Sequence, residues 1–324
     1  MIDYQIKADN KDITQQIKPY LLSIEVIDAI GDKADMLNLS LSDSHDAFAL
    51  PTTSVTLSFS VFDDNKLISF GHFMVDEVTY QKAPTTIQVN AKSIPFDQTF
   101  NYQSMHDQKM RSFMHTTLEE VVATIAKEHG LKHCVSHQLA DNHIQHIDQV
   151  NESNLSFLKR LTRMYKCSLK ITYQRIILLD KEASSASGKA IKEIQLSIKQ
   201  MSSFYYKTQK RNQYRCAIVP YYQLDQADLK EVKVGDKQPV YRATYVYESE
   251  QKALAVAHKI LLEQQQKQDM LTFSLSGHFR LRAGQPIAIK GLQQAIPNNW
   301  LIVEARHKFD RNGYKTDIKA KLRN

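Results

Sequence analysis

The stretch Gln149-Val150-Asn151-Glu152-Ser153-Asn154-Leu155-Ser156-Phe157-Leu158-Lys159-Arg160-Leu161 leads into helical spacing, and the helical centre it belongs to orders the whole chain. From Ser153 the apolar residues Leu155, Leu158 and Leu161 recur at helical spacing, with Phe157 and Met164 beside them. The spacing predicts an amphipathic helix from Ser153 to Tyr165. Upstream, Thr116-Thr117-Leu118-Glu119-Glu120 offers two overlapping capping boxes, each with Thr three residues ahead of Glu. Leu118, Val121, Val122, Ile125 and His129 then follow helical spacing, and Gly130 stands where a C-terminal cap belongs. Downstream, Ser168–Tyr173 and Ile176–Leu179 read as a hairpin around Gln174-Arg175. Ala183–Lys189 is rich in Ser, Ala and Gly and reads as a linker or exposed loop.

On both sides of this helical centre the period falls to two. Met36–Leu41 alternates so that Leu37, Leu39 and Leu41 share one face, and Val55–Val61 repeats the pattern. Tyr20–Val26, Leu67–Val78 and Thr86–Ala91 read as further strands, with a turn at Asp63-Asp64-Asn65. In the last third, strands are expected at Ile194–Ile198, Ser203–Lys207, Tyr214–Val219, Pro239–Val246, Leu271–Gly277, Pro286–Ile289, Trp300–His307 and Thr316–Leu322. One long helix, Ser249–Lys267, interrupts them, with Leu254, Ala257, Ile260 and Leu261 on its buried side. The expectation is an α+β chain: a β-rich domain over 1–95, an α/β middle over 96–185, and a second β-rich domain with one long helix over 186–324.

Composition bounds the rest. The 324 residues suffice for two or three domains with cores, and 42% apolar with 24% charged residues is ordinary for a folded chain. There are 42 basic and 35 acidic residues, a net charge of +7 that suits solubility and permits an acidic partner. Basic residues gather at Lys207, Lys210, Arg211 and Arg215, and again at Lys308, Arg311, Lys315, Lys319, Lys321 and Arg323. Cys134, Cys167 and Cys216 are widely spaced and form no CxxC pair, so reduced thiols are expected. The opening Met1–Lys11 lacks the apolar run of a signal peptide, and no stretch reaches the length of a spanning helix.

Chemistry-bearing motifs are sparse. The chain holds no GxSxG elbow, P-loop, HExxH or GxGxxG after a strand. His129, His133, His137, His143 and His146 have partly helical spacing, but Gly130 ends the helix beneath them. Surface or loop histidines are expected there, with no metal and no cofactor. Asp63-Asp64 reads as a turn, and Glu119-Glu120 as helix N-terminal charge. Tyr205, Tyr206 and Tyr214 interleave with the first basic cluster, which would suit a single-strand stacking platform or a hairpin with solvated cations.

Several stretches in order resemble the phage late control gene D family of tail proteins, which is related to the hub portion of type VI secretion spike proteins. They are Asp12-Ile13-Thr14, Leu22–Asp28 and Ala34–Leu39; Phe70–Val78; Thr117–Leu131; Gln149–Leu161; and Gly284–Ile287, Trp300–His307 and Asn312–Thr316. Asn154 stands where the pattern has an acidic residue, and Tyr165-Lys166-Cys167 where Tyr-Gly-small is common. The marks carried over are Glu152, Ser153, Phe157, Leu158, Leu161, Trp300, His307, Gly313, Tyr314 and Thr316, each a shape-holding and not a catalytic residue. Trp300 is expected to anchor a barrel, and Asn312-Gly313 to make a hairpin turn.

The resemblance implies a structural baseplate hub of a contractile tail, not an enzyme. It implies two related antiparallel β-barrels per chain and a homotrimeric ring that adapts a sixfold tail tube to a threefold spike. Its partners would be the tail tube, central spike, tape measure and baseplate wedge proteins, with DNA only as passing cargo and no membrane insertion. The spike is expected to be a separate protein, and the site a virion tail assembled in the host cytoplasm. The other function classes are a nucleic-acid-binding late-gene regulator, which the +7 charge would suit, and a tail-associated hydrolase.

Overall fold

The computed structural model describes residues 3–323 apart from 31–33, 44–47, 54, 64–65, 94–104, 166, 173–174, 181–190, 209–213, 224–227 and 267–268. The expected boundaries near 95 and 185, the loop Ala183–Lys189, and Lys210 and Arg211 lie outside the described residues.

The first β-rich third contains β1 (Tyr4–Ala8), β2 (Lys11–Asp12), α1 (Thr14–Ile17), β3 (Leu21–Ala29), β4 (Met36–Ser42), β5 (Thr56–Asp63), β6 (Lys66–Gln81) and β7 (Thr86–Lys92). Alternation decides the faces. Leu37, Leu39 and Leu41 of β4 and Leu57, Phe59 and Val61 of β5 are all buried in one core with Ile6, Ile24, Phe73 and Val89.

The middle contains β8 (Gln108–Thr117), α2 (Leu118–Glu128), β9 (Lys132–Val135), α3 (His137–Ala140), β10 (His143–Ser153), α4 (Asn154–Met164), β11 (Cys167–Thr172) and β12 (Arg175–Asp180). Of the two overlapping capping boxes, the second forms: Glu120 N–H donates to the Thr117 hydroxyl, and the Glu120 carboxylate accepts from Thr117 N–H. Gly130, with φ of 61°, takes the left-handed position just past α2. Phe157, Leu158 and Leu161 of α4 pack with Val121, Val122 and Ile125 of α2. The strands β8 and β10, absent from the periodicity reading, pair as an antiparallel ribbon.

The last third contains β13 (Ile194–Ser197), β14 (Met201–Thr208), β15 (Cys216–Gln223), β16 (Asp228–Val234), β17 (Val240–Arg242), α5 (Glu250–Gln266), β18 (Asp269–Ser276), β19 (Pro286–Lys290), β20 (Asn299–Asp310) and β21 (Gly313–Leu322). Here the sequence expectation needs three corrections. The long helix does not belong to the second β core; α5 covers a separate three-stranded sheet β16-β15-β17 with its own apolar cluster. The expected strand Pro239–Val246 shortens to β17. Leu254 is exposed, because Ala253, Ala257 and Ile260 set the buried stripe one residue earlier.

The two β-rich ends, expected as separate barrels, share one 13-stranded sheet of order β14-β18-β21-β20-β3-β4-β7-β6-β5-β1-β2, with β19 branching from β20 and β13 from β19. The seam is the antiparallel pair β20–β3, which sets His307 opposite Val26 and Phe309 opposite Ile24. The strand β20 therefore serves both cores. Phe309 packs in the N-terminal one, while Trp300, Ile302 and Ala305 fill the C-terminal one with Phe273, Leu281 and Ile287. The segment after residue 193 reaches two strands: β13 lies parallel on β19, a 3-10 turn follows, and β14 lies antiparallel on β18.

Candidate functional site: two buried polar nodes

Apart from Trp300, which fills the C-terminal core, the residues marked by the sequence gather at two places. The first is the start of α4. Ser153 caps the helix by accepting from Ser156 N–H at 3.2 Å, and Glu152 pairs with Arg160 at 2.9 Å. Phe157, Leu158 and Leu161 are fully buried. Phe157 stacks on Phe113 of β8 with centroids 5.6 Å apart, and each ring carries an arginine within 5 Å, Arg160 over Phe157 and Arg111 over Phe113.

Asn154, buried beside this stack, uses its whole amide. Its carbonyl accepts from Arg111 Nη2 at 2.9 Å and Gln149 Nε2 at 3.0 Å; its amino group donates to Glu128 Oε2 at 2.9 Å and to His129 Nε2 at 2.8 Å. Burial would raise the Glu128 carboxyl, but hydrogen bonds from Lys109, Arg111 and Asn154 outweigh burial and hold it below its ordinary value. The departure to Asn at 154 thus fits this chain, since an aspartate could not donate to Glu128 and would add a second carboxylate next to it. Asn154→Asp is expected to cost about 2 kcal/mol in urea unfolding near neutral pH. Adding Glu128→Gln should restore part of that loss.

The histidine group does not converge. His129, expected at the surface or in a loop, is buried and held by Asn154 because it ends the apolar stripe of α2. His133 lies 3.8 Å from Glu119, and His146 lies 2.7 Å from Asp148. Among the described residues no three or more His, Cys, Asp or Glu side chains could hold a metal. The tyrosine platform divides as well. Tyr205 is exposed, Tyr206 turns inward to meet Trp300 edge-on, and Tyr214 packs on Tyr241.

The second node lies at the β20–β3 seam. Trp300 is fully buried and donates to Pro297 O at 2.8 Å. The hairpin turn falls on Arg311-Asn312, one residue before the expected Asn312-Gly313, and Gly313 with φ of 115° opens β21 opposite Asp310. That register brings His307, Tyr314 and Thr316 together. His307 Nε2 lies 3.0 Å from Leu281 O, so it carries the proton, and Nδ1 accepts from the Tyr314 hydroxyl at 2.8 Å. Thr316 Oγ1 accepts from His278 N–H at 2.9 Å. Tyr314 stacks on Phe309 at 4.1 Å, and Phe70 of β6 meets His307 edge-on at 4.9 Å. Burial, followed by the nearby Arg282, pushes the His307 imidazole down to about 3, while burial pushes the Tyr314 hydroxyl up.

Four charged residues not singled out by their charge extend this seam. Arg282 lies over the Phe70 ring at 3.7 Å and donates to Ser69 O. Asp28 of β3 accepts from Ala283 N–H and pairs with Lys170 of β11, which also reaches Asp35 at 3.2 Å. The Ser93 hydroxyl donates to Ile171 O and accepts from Asp35 N–H. Burial raises Asp35 to about 6 against the pull of Lys170. For Lys170 burial acts downward, but Asp28 and Asp35 outweigh it and raise the ammonium above its ordinary value. Three stretches of chain, around residues 28–35, 170 and 282, are fastened at this one point.

The two shifted groups oppose each other in their effect on stability. His307 is depressed when folded, so its contribution is present above about 6.5 and is lost as pH falls toward 3. Asp35 is raised when folded, so its contribution is present below about 3.8 and is lost as pH rises through 6. Between pH 4 and 6 the slopes nearly cancel. Asp35→Asn should uncover the His307 slope, a loss approaching 1.4 kcal/mol for each pH unit of acidification relative to the parent, read from urea midpoints across that range.

Residues 102–313 match the model of the family described as phage tail baseplate hub (GPD). A relative named probable baseplate hub protein, from Escherichia phage P2, is 24% identical over 99% of this chain and 93% of its own length. In structure the chain is similar to the 43 kDa tail protein of prophage MuSo2 from Shewanella oneidensis, with a TM-score of 0.71, 13% identity and coverage of 99% of this chain and 98% of that one. It is also similar to an E. coli protein described as a component of the type VI secretion system, with a TM-score of 0.58, 12% identity and coverage of 94% and 74%. The family match runs from β8 to the first residue of β21, and the chain belongs to the phage tail baseplate hub family.

Proposed function

We propose that this chain is a non-enzymatic ring component of a contractile tail, three copies of which adapt a sixfold tube to a threefold central spike. Each copy would bring two related β-barrel domains, over 1–95 and 186–324, with the α/β middle over 96–185 on the flank. The observation that carries this reading is the seam. Two apolar cores lie on one continuous sheet and share β20, so two β units of one chain are held in fixed relation. Three such chains would present six β units on a ring, and heterologous contacts would close it. The tail tube and spike proteins would bind opposite faces, with the tape measure and wedge proteins as further partners and DNA passing through. The ring would be assembled in the host cytoplasm and reside in the virion baseplate.

Light scattering of the purified chain over a concentration series, with negative-stain imaging of the same sample, tests the proposal. A particle of three times the chain mass with a central opening is expected. A chain that stays monomeric throughout, including with the spike protein added, would sink it.

A further inference from the structure

Half of the C-terminal basic cluster is neutralised within the fold. Lys308 pairs with Asp310, Lys315 with Asp317, and Lys319 with Glu304. Arg311 is different. It lies in the β20–β21 turn, is exposed, and forms no ion pair among the described residues. Beside it a groove of about 270 Å³ opens between this hairpin and the segment leading into β3. Its walls are mainly apolar: Phe309 is buried, and Tyr4, Leu21, Leu22 and Tyr314 are half-buried. Lys18, which also lines the groove, is exposed and likewise forms no ion pair among the described residues. The acid that also lines it, Asp310, is occupied by Lys308 and by the N–H of Asn312.

An apolar cleft lined by two uncompensated cations selects for its occupant by chemistry. A purely apolar segment would leave both cations without a counter-charge. A segment that carries carboxylates beside its apolar side chains would satisfy the walls and the cations together. We propose that the groove receives a short extended segment of another protein, in which apolar side chains adjoin carboxylates. The apolar side chains would lie over Phe309, Tyr314 and Leu22, with the carboxylates between Lys18 and Arg311. The proposal does not depend on the ring assembly, and its test reads the isolated chain.

The test uses two fluorescein-labelled octapeptides, Gly-Ser-Leu-Phe-Glu-Glu-Leu-Ser and the same peptide with Gln for both Glu, measured by fluorescence anisotropy. The acidic peptide is expected to bind the full-length chain at least about fivefold more tightly than the Gln peptide at low salt, and the advantage should shrink as salt rises. Arg311→Glu and Lys18→Glu, both at exposed positions, should each abolish the preference, and a Lys-for-Glu peptide should bind the double variant better than the parent. Leu22→Arg, with thermal melting compared to the parent, should block both peptides. Equal affinity for the acidic and Gln peptides overturns the proposal, as does failure of the acidic peptide to bind at millimolar concentration. Binding indifferent to Arg311→Glu and Leu22→Arg also overturns it. If Arg311→Glu abolishes self-association while the parent ignores both peptides, the groove is a contact between copies and the proposal is wrong.

Discussion

Lys170→Met is expected to lower the unfolding free energy by about 3–5 kcal/mol at neutral pH, the cost of breaking a buried ion pair from one side. Methionine keeps the length and apolar stem of lysine, so the loss would report charge and not volume. The parent ammonium reaches Asp28 and Asp35, whose side chains are only 9% and 13% exposed. Each carboxylate keeps one backbone donor, Ala283 N–H for Asp28 and Ala29 N–H for Asp35. That is too little to hold two adjacent anions out of water. Asp35 is already raised to about 6 with Lys170 present, so its removal would push that carboxyl higher still. The sign of the pH effect follows: the deficit should be smaller near pH 5, where Asp35 takes up a proton, and larger near pH 8. Adding Asp35→Asn should recover much of the loss. Urea unfolding gives the free energies, and amide exchange should rise first in β11, where Lys170 is the tie to β3. A deficit independent of pH, or exchange rising equally everywhere, would mean that the cluster is not a fastening point.

That fastening was out of reach of the sequence for a physical reason. Asp28 and Lys170 are 142 residues apart on strands that serve different apolar cores, and no local period relates them. What periodicity can show is one buried face of one element. It places Leu37, Leu39 and Leu41 in the core, and it sets the apolar stripe of α4. It fails for the β8–β10 ribbon, where Ile144 and Ile147 are buried but Met110, Met114 and Val150 are exposed and Gln149 is fully buried against Arg111. The α5 stripe was shifted because Leu254 outweighs Ala253 in hydrophobicity, although only the small Ala253 and Ala257 let the helix approach β15. The order of β-rich segments along the chain also suggests separate barrels, since the β20–β3 pairing joins elements from opposite ends of the sequence. The resemblance marks His307, Tyr314 and Thr316 singly, and only the register of one hairpin brings them together.

One member of that group left no trace in the sequence. Gly277 follows β18, and a Cβ placed there would lie 1.8 Å from Tyr314 Cδ1 and 2.2 Å from Cγ. The ring cannot swing aside cheaply. It is stacked on Phe309, its hydroxyl is spent on His307, and its carbonyl accepts from Gly277 N–H at 2.8 Å. Gly277→Ala is therefore expected to cost about 3 kcal/mol, the upper end of overpacking, because the methyl must displace the ring whose hydroxyl donates to His307. The position carries no left-handed φ, so alanine is not opposed by the backbone. A double-mutant cycle separates the two effects. In a Tyr314→Ala background the clash is gone, and Gly277→Ala should become neutral or stabilising by about 0.5 kcal/mol through reduced freedom of the unfolded chain. Unfolding free energies of the four proteins decide the matter. If Gly277→Ala costs the same with and without the Tyr314 ring, the node is not held by this contact, and the strain must enter through the β18–β21 pairing instead.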